Sequence, residues 1–146
     1  MDAKETAKKI VATLKEELKL YALIDQRLDE QERAIRNEDE RLVFKIIDEK
    51  DEALQTLREQ DRQLAQWTQQ FSPAQLDFLE EKTRALRDKL SATLKSILAK
   101  EETCDKLLQS LQSRTGSKMT GVKKGKIGLK GYSLPSRVKP KISKNI

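Results

Sequence analysis

The sequence predicts an all-α protein: an elongated antiparallel three-helix bundle, or a helical hairpin with a long third helix laid along it, followed by a disordered basic C-terminal tail. Charged residues make up 37% of the 146 residues and aromatic residues only 4%, which suits long, thin helices that each bury one stripe. Apolar residues recur in steps of three and four up to about residue 111. All five glycines lie from position 116 onward. We therefore predict a helical domain over residues 1–112 and a flexible basic tail over residues 113–146.

The first helix is predicted over about residues 3–36. Its early apolar residues alternate steps of four and three, the heptad seam of helices packed nearly antiparallel; they are Ala7, Val11, Leu14, Leu18 and Tyr21. The polar run RNEDER then interrupts the pattern, and we place a turn there. Asn37 tolerates a capping or left-handed conformation, and Glu40 three residues later completes a pattern that resembles a capping box. The alternative is one continuous helix with a polar patch.

The second helix is predicted over about residues 38–70. Its seam carries Val43, Ile46, Ile47, Leu54, Leu57, Leu64 and Trp67. Lys50 and Asp61 also occupy seam positions. We interpret these two as residues that set the register or lie on a partly solvated rim.

The third helix is predicted over residues 73–112, and the segment QQFSPAQ marks its start clearly. Ser72 fits the N-cap, Pro73 the first helical position and Gln75 the partner in a capping box. From Leu76 onward the stripe alternates steps of three and four, and it includes Cys104. We expect that cysteine to be an inert buried thiol. Because the connections are short, neighbouring helices should be antiparallel.

The residue types exclude several kinds of chemistry. One cysteine cannot form an internal disulfide, and the absence of histidine argues against a zinc site of the usual type, so we predict no metal and no cofactor. No nucleophile, base and pocket can be assembled, so we expect no enzyme. There is no stretch of about 18 apolar residues that could span a membrane and no signal-peptide pattern, so we expect a cytoplasmic protein.

The charge is divided between the two parts of the chain. From Ser113 onward there are ten Lys or Arg and no acidic residue, whereas residues 1–112 hold 20 basic and 24 acidic residues. Ten cations could bind nucleic acid, although the body is acidic and the tail has a single aromatic residue. They could also lie on an anionic membrane, although the glycines oppose an amphipathic helix. A structural coiled coil that homodimerises through the same seam is a third alternative.

The end of the third helix is the candidate partner-binding site. This helix is the longest, so its last turn or two should extend past the other two helices and leave an apolar face without an internal partner. The candidate residues there are Leu98, Leu107, Leu108 and Leu111. The alternative is that such leucines pack on both other helices. Residues 29–52 hold ten acidic and five basic side chains, and we hypothesise that the basic tail folds back on this acidic end until a partner arrives.

The layout resembles a family of bacterial proteins, the FlgN-type flagellar export chaperones and their FliT-type relatives. The similarity rests on a charged leading helix, the junction AIRNEDERLVFKIIDEKDEALQTL, the restart SPAQ and the loose C-terminal tail, and it covers most of residues 10–112. At the junction, Asn37 stands where glycine is commoner in the family. The matching positions are Ala34, Ile35, Asn37, Glu38, Leu42, Ile46, Ile47, Lys50 and Leu54.

The resemblance implies a small cytosolic helical chaperone without catalytic activity. Such proteins hold hook-associated subunits of the hook–filament junction, prevent their premature assembly and deliver them to the type III export gate. Family members bind these clients with the last helix and the C-terminal region, and an aromatic residue in the tail can help to dock at the gate. By position, Tyr132 is that aromatic residue here, flanked by Leu129 and Leu134.

Overall fold

The computed structural model describes residues 2–115, which form three α-helices packed as a bundle. In chain order these are α1 (Ala3–Arg36), α2 (Glu40–Thr68) and α3 (Pro73–Thr115). The described part of the chain contains no strand, so the predicted all-α three-helix fold is confirmed. The predicted basic tail, from residue 116 onward, lies outside the described residues.

The starts of α1 and α3 are each fixed by a side chain that satisfies free backbone N–H groups. Asp2 caps α1, because its carboxylate accepts a hydrogen bond from the backbone N–H of Glu5 at 2.8 Å. At α3, the Gln75 N–H donates to Ser72 Oγ at 3.2 Å, and the Ser72 N–H donates to Gln75 Oε1 at 2.9 Å. This reciprocal pair is the capping box that the sequence predicts at Ser72.

The turn between α1 and α2 lies where the sequence places it, but its chemistry differs from the expected capping box. The N–H of Glu38 donates to Ile35 O at 3.0 Å, and the N–H of Asp39 donates to Ala34 O at 2.8 Å. Glu38 has a φ of 55°, so it takes the left-handed conformation of a Schellman motif. Asn37 ends α1 instead of starting α2, and Asp39 is the N-cap of α2. This arrangement leaves only three residues between the two helices.

α1 lies between the other two helices. Its backbone approaches both α2 and α3 closely, whereas the backbones of α2 and α3 are farther apart. Arg27 of α1 pairs with Glu49 of α2, and α1 and α2 run antiparallel. Asp25 of α1 accepts a hydrogen bond from Ser96 of α3, and Leu28 further along α1 meets Cys104 further along α3. α1 and α3 therefore run parallel. Side chains, rather than close backbone packing, therefore connect α2 to α3.

The core is the set of heptad positions that the three helices turn toward one another. Leu14, Ile24, Leu28, Val43 and Ile97 are almost fully buried. Burying side chains of this size stabilises the fold by about 1.5–3 kcal/mol each before entropy is counted. The same stripe also holds buried polar residues, which are Thr6, Glu17, Gln31, Lys50, Thr83 and Glu101.

No helix among the described residues is both long enough and apolar enough to cross a membrane.

Candidate partner-binding surface

The C-terminal half of α3 lies alongside α1 almost to the end of α1. The Cys104 sulfur lies 3.9 Å from the backbone oxygen of Leu28, so these two residues are at the same level of the bundle. From that level α1 continues for eight residues to Arg36, and α3 continues for eleven residues to Thr115. At about 1.5 Å per residue, α3 extends beyond α1 by only about one turn.

Two of the leucines expected on a free end of α3 are buried in the bundle. Leu108 is 8% exposed and Leu111 is 4% exposed, and Leu107 is half-buried and packs against the core. The expectation that these side chains lack an internal partner is therefore wrong. α1 runs beside α3 nearly to the end of α3, and the bundle buries Leu108 and Leu111 there. Contact of Leu107, Leu108 and Leu111 with a partner stays a prediction, and for the two buried leucines it requires the bundle end to open.

Leu98 is the most exposed of the four candidate leucines on α3. It is 38% exposed, although Leu94, one turn earlier, is buried. Ser96 and Lys100 face α1, whereas Glu101 faces α2. Leu98 precedes Glu101 by three residues and so lies on the α2 side of α3. A partner can reach this side chain without any rearrangement. The remaining candidates, Leu129, Tyr132 and Leu134, lie outside the described residues.

A polar clamp holds the accessible part of α3 to α1. Lys100 Nζ lies 3.2 Å from Asp25 Oδ1 and 3.0 Å from Asp29 Oδ1, and Ser96 Oγ donates to Asp25 Oδ1 at 2.7 Å. Partial burial lowers the pKa of the Lys100 ammonium, but hydrogen bonds and charge attraction to Asp29 and Asp25 outweigh it and the pKa is raised. The ammonium therefore stays charged at neutral pH and fixes the register of α3 on α1.

A buried ion pair connects the same region of α3 to α2. Lys50 Nζ lies 2.7 Å from Glu101 Oε1. The sequence identified Lys50 as a seam residue that sets register or lies on a solvated rim, and the structure places it in the interior. Glu101 was not singled out from the sequence, where it directly follows Lys100. Because both charges are buried, the pair requires one alignment of α2 with α3.

Cys104 lies beside this ion pair and is buried. Burial raises the pKa of its thiol to about 12, and the attraction of the Lys50 ammonium is too weak to prevent this. Because the thiolate is the reactive form, a thiol with so high a pKa is inert near neutral pH. The predicted burial of this cysteine is confirmed.

Within residues 2–115, no group of three or more Cys, Asp or Glu side chains is arranged to hold a metal ion. The positioned charges instead join helices to one another, as Lys100 and Lys50 do. The arrangement can present a rigid helical face to another macromolecule.

Sequence reasoning missed one surface feature, an apolar cavity at the opposite end of the bundle. Its volume is about 450 Å³, and it lies where the first turns of α1 and α3 meet the α2–α3 turn. Its apolar lining consists of Ala3, Ala7, Phe71, Ala74, Phe78 and Leu79. Phe78 is 65% exposed, an unusual exposure for so large an apolar side chain. The heptad pattern assigns Leu79 to the apolar stripe of α3 and gives no role to its neighbour Phe78.

Comparison with other proteins adds no relative of this chain. No protein-family model matches the sequence, and neither a curated protein nor a solved structure shows significant similarity to it.

Proposed function

We propose that the protein is a cytoplasmic flagellar export chaperone of the FlgN type, without catalytic activity. Its clients would be the hook-associated subunits of the hook–filament junction. It would keep them from assembling early and deliver them to the cytoplasmic part of the export gate. The proposal starts from the sequence resemblance at the α1–α2 junction and is supported by the all-helical fold.

The observation that supports this function most directly is the presentation of Leu98 on a clamped segment of α3. Lys100 fixes this segment to α1, and Glu101 fixes it to α2. The backbones of α2 and α3 are not closely packed, so a side chain on this face has room for a neighbour. An amphipathic client helix could therefore lay its apolar face along α3 at Leu98.

The residues that follow α3 extend this surface in the proposal. α3 ends at Thr115, and the remaining sequence carries Leu129, Tyr132 and Leu134 among lysines. Ordering such a segment on a client costs conformational entropy, which keeps the affinity moderate. A moderate affinity suits a chaperone because the client must be released at the gate. In this scheme Tyr132 serves gate docking, as the resemblance implies.

Leu107, Leu108 and Leu111 take a second role in the proposal. In the free protein Leu107 is half-buried, and Leu108 and Leu111 are buried in the bundle. A client helix that opened this end of the bundle would gain these leucines as further contacts. Such a step exposes apolar side chains that the bundle had buried, and this costs free energy. Only a client with matching apolar residues would recover that free energy, so the step would contribute to specificity.

The function is tested by affinity capture from lysate of a flagellated bacterium. Three forms are compared: the full chain, a chain truncated after Thr115, and a full-length Leu98→Glu variant. The matched control is Leu23→Glu, because Leu23 is also an accessible leucine, at 43% exposure, but lies on α1. We expect hook-associated proteins with the full chain and the control, and a clear loss with the other two forms. Capture of nucleic acid alone, or equal capture by all four, would overturn the proposal.

A further inference from the structure

The groove between α1 and α3 changes its electrostatic character along its length. Near the C-terminal ends of the helices, Asp25 and Asp29 on α1 oppose Lys100 on α3, and the charges pair. In a helical bundle, residues seven apart lie on the same side of a helix. Counting back in sevens from these positions therefore identifies the side chains that border the same groove in its first half. On α1 these steps reach Leu18, Val11 and Lys4 from Asp25, and Ala22, Lys15 and Lys8 from Asp29.

The facing edge of α3 follows the same rule. Steps of seven from Ser96 reach Lys89, Lys82 and Gln75, and the next row outward holds Phe78, Ala85 and Ala92. We call the border positions just named, in the first halves of α1 and α3, the basic groove. Its border positions carry five lysines and no acidic residue; the lysines are Lys4, Lys8, Lys15, Lys82 and Lys89. All five are exposed.

These lysines are not neutralised within the described part of the protein. None of them forms an ion pair with another of the residues 2–115. Like charges that face one another across a helix pair disfavour the packing that brings them together. The unpaired lysines at these border positions can attract the carboxylates of an anionic partner.

The basic groove also has an apolar anchoring point. The cavity of about 450 Å³ lies at its open end, and Lys4 and Lys82 are the charged residues in the lining of that cavity. Phe78 forms one wall, and the Lys82 ammonium lies 6.0 Å from the centre of its ring. A cavity of this size accepts one or two large apolar side chains from a partner. Cations around an apolar cavity therefore select a partner that combines carboxylates with an apolar anchor.

From this charge complementarity we propose that the basic groove binds an acidic amphipathic helix of another protein. Lys8 and Lys15 are seven residues apart, as are Lys82 and Lys89, and seven residues span about 10 Å of helix. Carboxylates seven residues apart on a partner helix match this repeat on both sides of the groove. Ala85 and Ala92 leave room for a helix to approach closely, and the anchor of that helix enters the cavity beside Phe78.

The charges argue against other occupants. The C-terminal segment of this chain, from Ser113 onward, has ten Lys or Arg and no acidic residue, so the groove repels it. Nucleic acid could use the lysines, but its sugar–phosphate backbone offers no side chain for the apolar cavity. The proposed site lies at the opposite end of α3 from Leu111 and does not depend on the proposed export function.

The test uses the full chain and a labelled synthetic helix of about 20 residues, which carries glutamates at seven-residue spacing beside a single leucine anchor. Binding is measured by fluorescence anisotropy. We expect Lys8→Glu/Lys82→Glu to weaken binding at least about tenfold and Phe78→Ala to weaken it several-fold, with affinity falling as salt rises. The matched controls are Lys9→Glu/Lys95→Glu and Leu23→Ala, which alter exposed residues off the groove and should change binding less than about twofold.

The outcomes separate the proposal from its rivals. Circular dichroism first checks that every variant is folded. We expect this because the substituted positions are exposed. Protection of Lys8 and Lys82, but not Lys95, from acetylation in the presence of the peptide supports the groove. Equal loss in the control variants overturns the proposal. Tighter binding of a DNA duplex or of anionic vesicles at the same lysines also overturns the proposal. Self-association of the free protein overturns it as well, if the groove variants abolish that self-association.

Discussion

Lys50 and Glu101 form an ion pair inside the bundle, with 2.7 Å between Nζ and Oε1 and only 3% and 7% of their side chains exposed. This pair joins two helices whose backbones do not pack closely. Removing water from two charges is costly, so such a pair stabilises one alignment of the helices more than it stabilises folding as such. Two long side chains also fill the greater separation between α2 and α3.

Breaking this pair from one side should destabilise the protein strongly. Glu101→Leu leaves the Lys50 ammonium buried without its carboxylate, so we expect the free energy of unfolding to fall by about 3–5 kcal/mol in urea denaturation. The double variant Lys50→Met/Glu101→Leu removes both charges and should recover most of that loss. As a control, Lys106→Ala removes an exposed pair with Glu102 and should cost less than about 0.5 kcal/mol. A double variant as unstable as the single one would contradict this account.

The turn at Glu38 should be improvable by one substitution. Glu38 has a φ of 55°, a conformation that costs a residue with a Cβ about 1 kcal/mol and costs glycine nothing sterically. Glu38→Gly should therefore raise the free energy of unfolding by about 0.5–1 kcal/mol. Asn37→Gly is the matched control, because Asn37 has a φ of −87° and should gain nothing. Equal stabilisation by both variants would show that the left-handed conformation at Glu38 is not the cause.

Cys104 should react with thiol reagents only when the protein opens. At pH 8 the burial-raised pKa of about 12 leaves almost no thiolate, so we expect slow labelling by a disulfide reagent in buffer and rapid labelling in denaturant. Thr103→Cys in a Cys104→Ala background supplies the control, since position 103 is exposed and should react quickly without denaturant. Fast labelling of native wild-type protein at the control rate would contradict the burial of Cys104.

The same thiol should make stability depend on pH in the alkaline range. The pKa of the thiol in the folded protein lies above its ordinary value of 9.0, so the unfolded chain loses its proton first and the folded state becomes relatively less stable as pH rises. Between about pH 9 and pH 12 the wild type should lose up to about 1.4 kcal/mol per pH unit more than Cys104→Ala does. Parallel stability curves for the two proteins would contradict this assignment.

Heptad spacing and cap chemistry made most of the fold predictable. The alternating steps of three and four identified the three helices, and Ser72 with Gln75 fixed the start of α3, because both signals depend on neighbours in sequence. The turn at residues 37–39 was located but misassigned. Which of two adjacent polar residues takes the left-handed conformation depends on where the last hydrogen bonds of α1 close, and composition does not decide this.

The surfaces were harder to predict because they depend on the relative levels of the helices. Sequence showed that α3 is longest, yet an overhang also depends on where α3 starts beside α1. Glu101 could not be paired with Lys50 without the register between α2 and α3. Phe78 lacked any periodic signal, since the cavity beside it forms only when three chain segments meet.

Truncation of leucines along α3 should distinguish buried positions from the accessible one. Leu111 is 4% exposed, so Leu111→Ala should lower the free energy of unfolding by about 2–5 kcal/mol through lost burial and the cavity that remains. Leu98→Ala removes the same atoms from a side chain that is 38% exposed and should cost less than about 1 kcal/mol. Urea denaturation of both variants measures the difference. Similar small losses at the two positions would mean that Leu111 lies on a free helix end, as the sequence alone predicts, and that the bundle does not bury it.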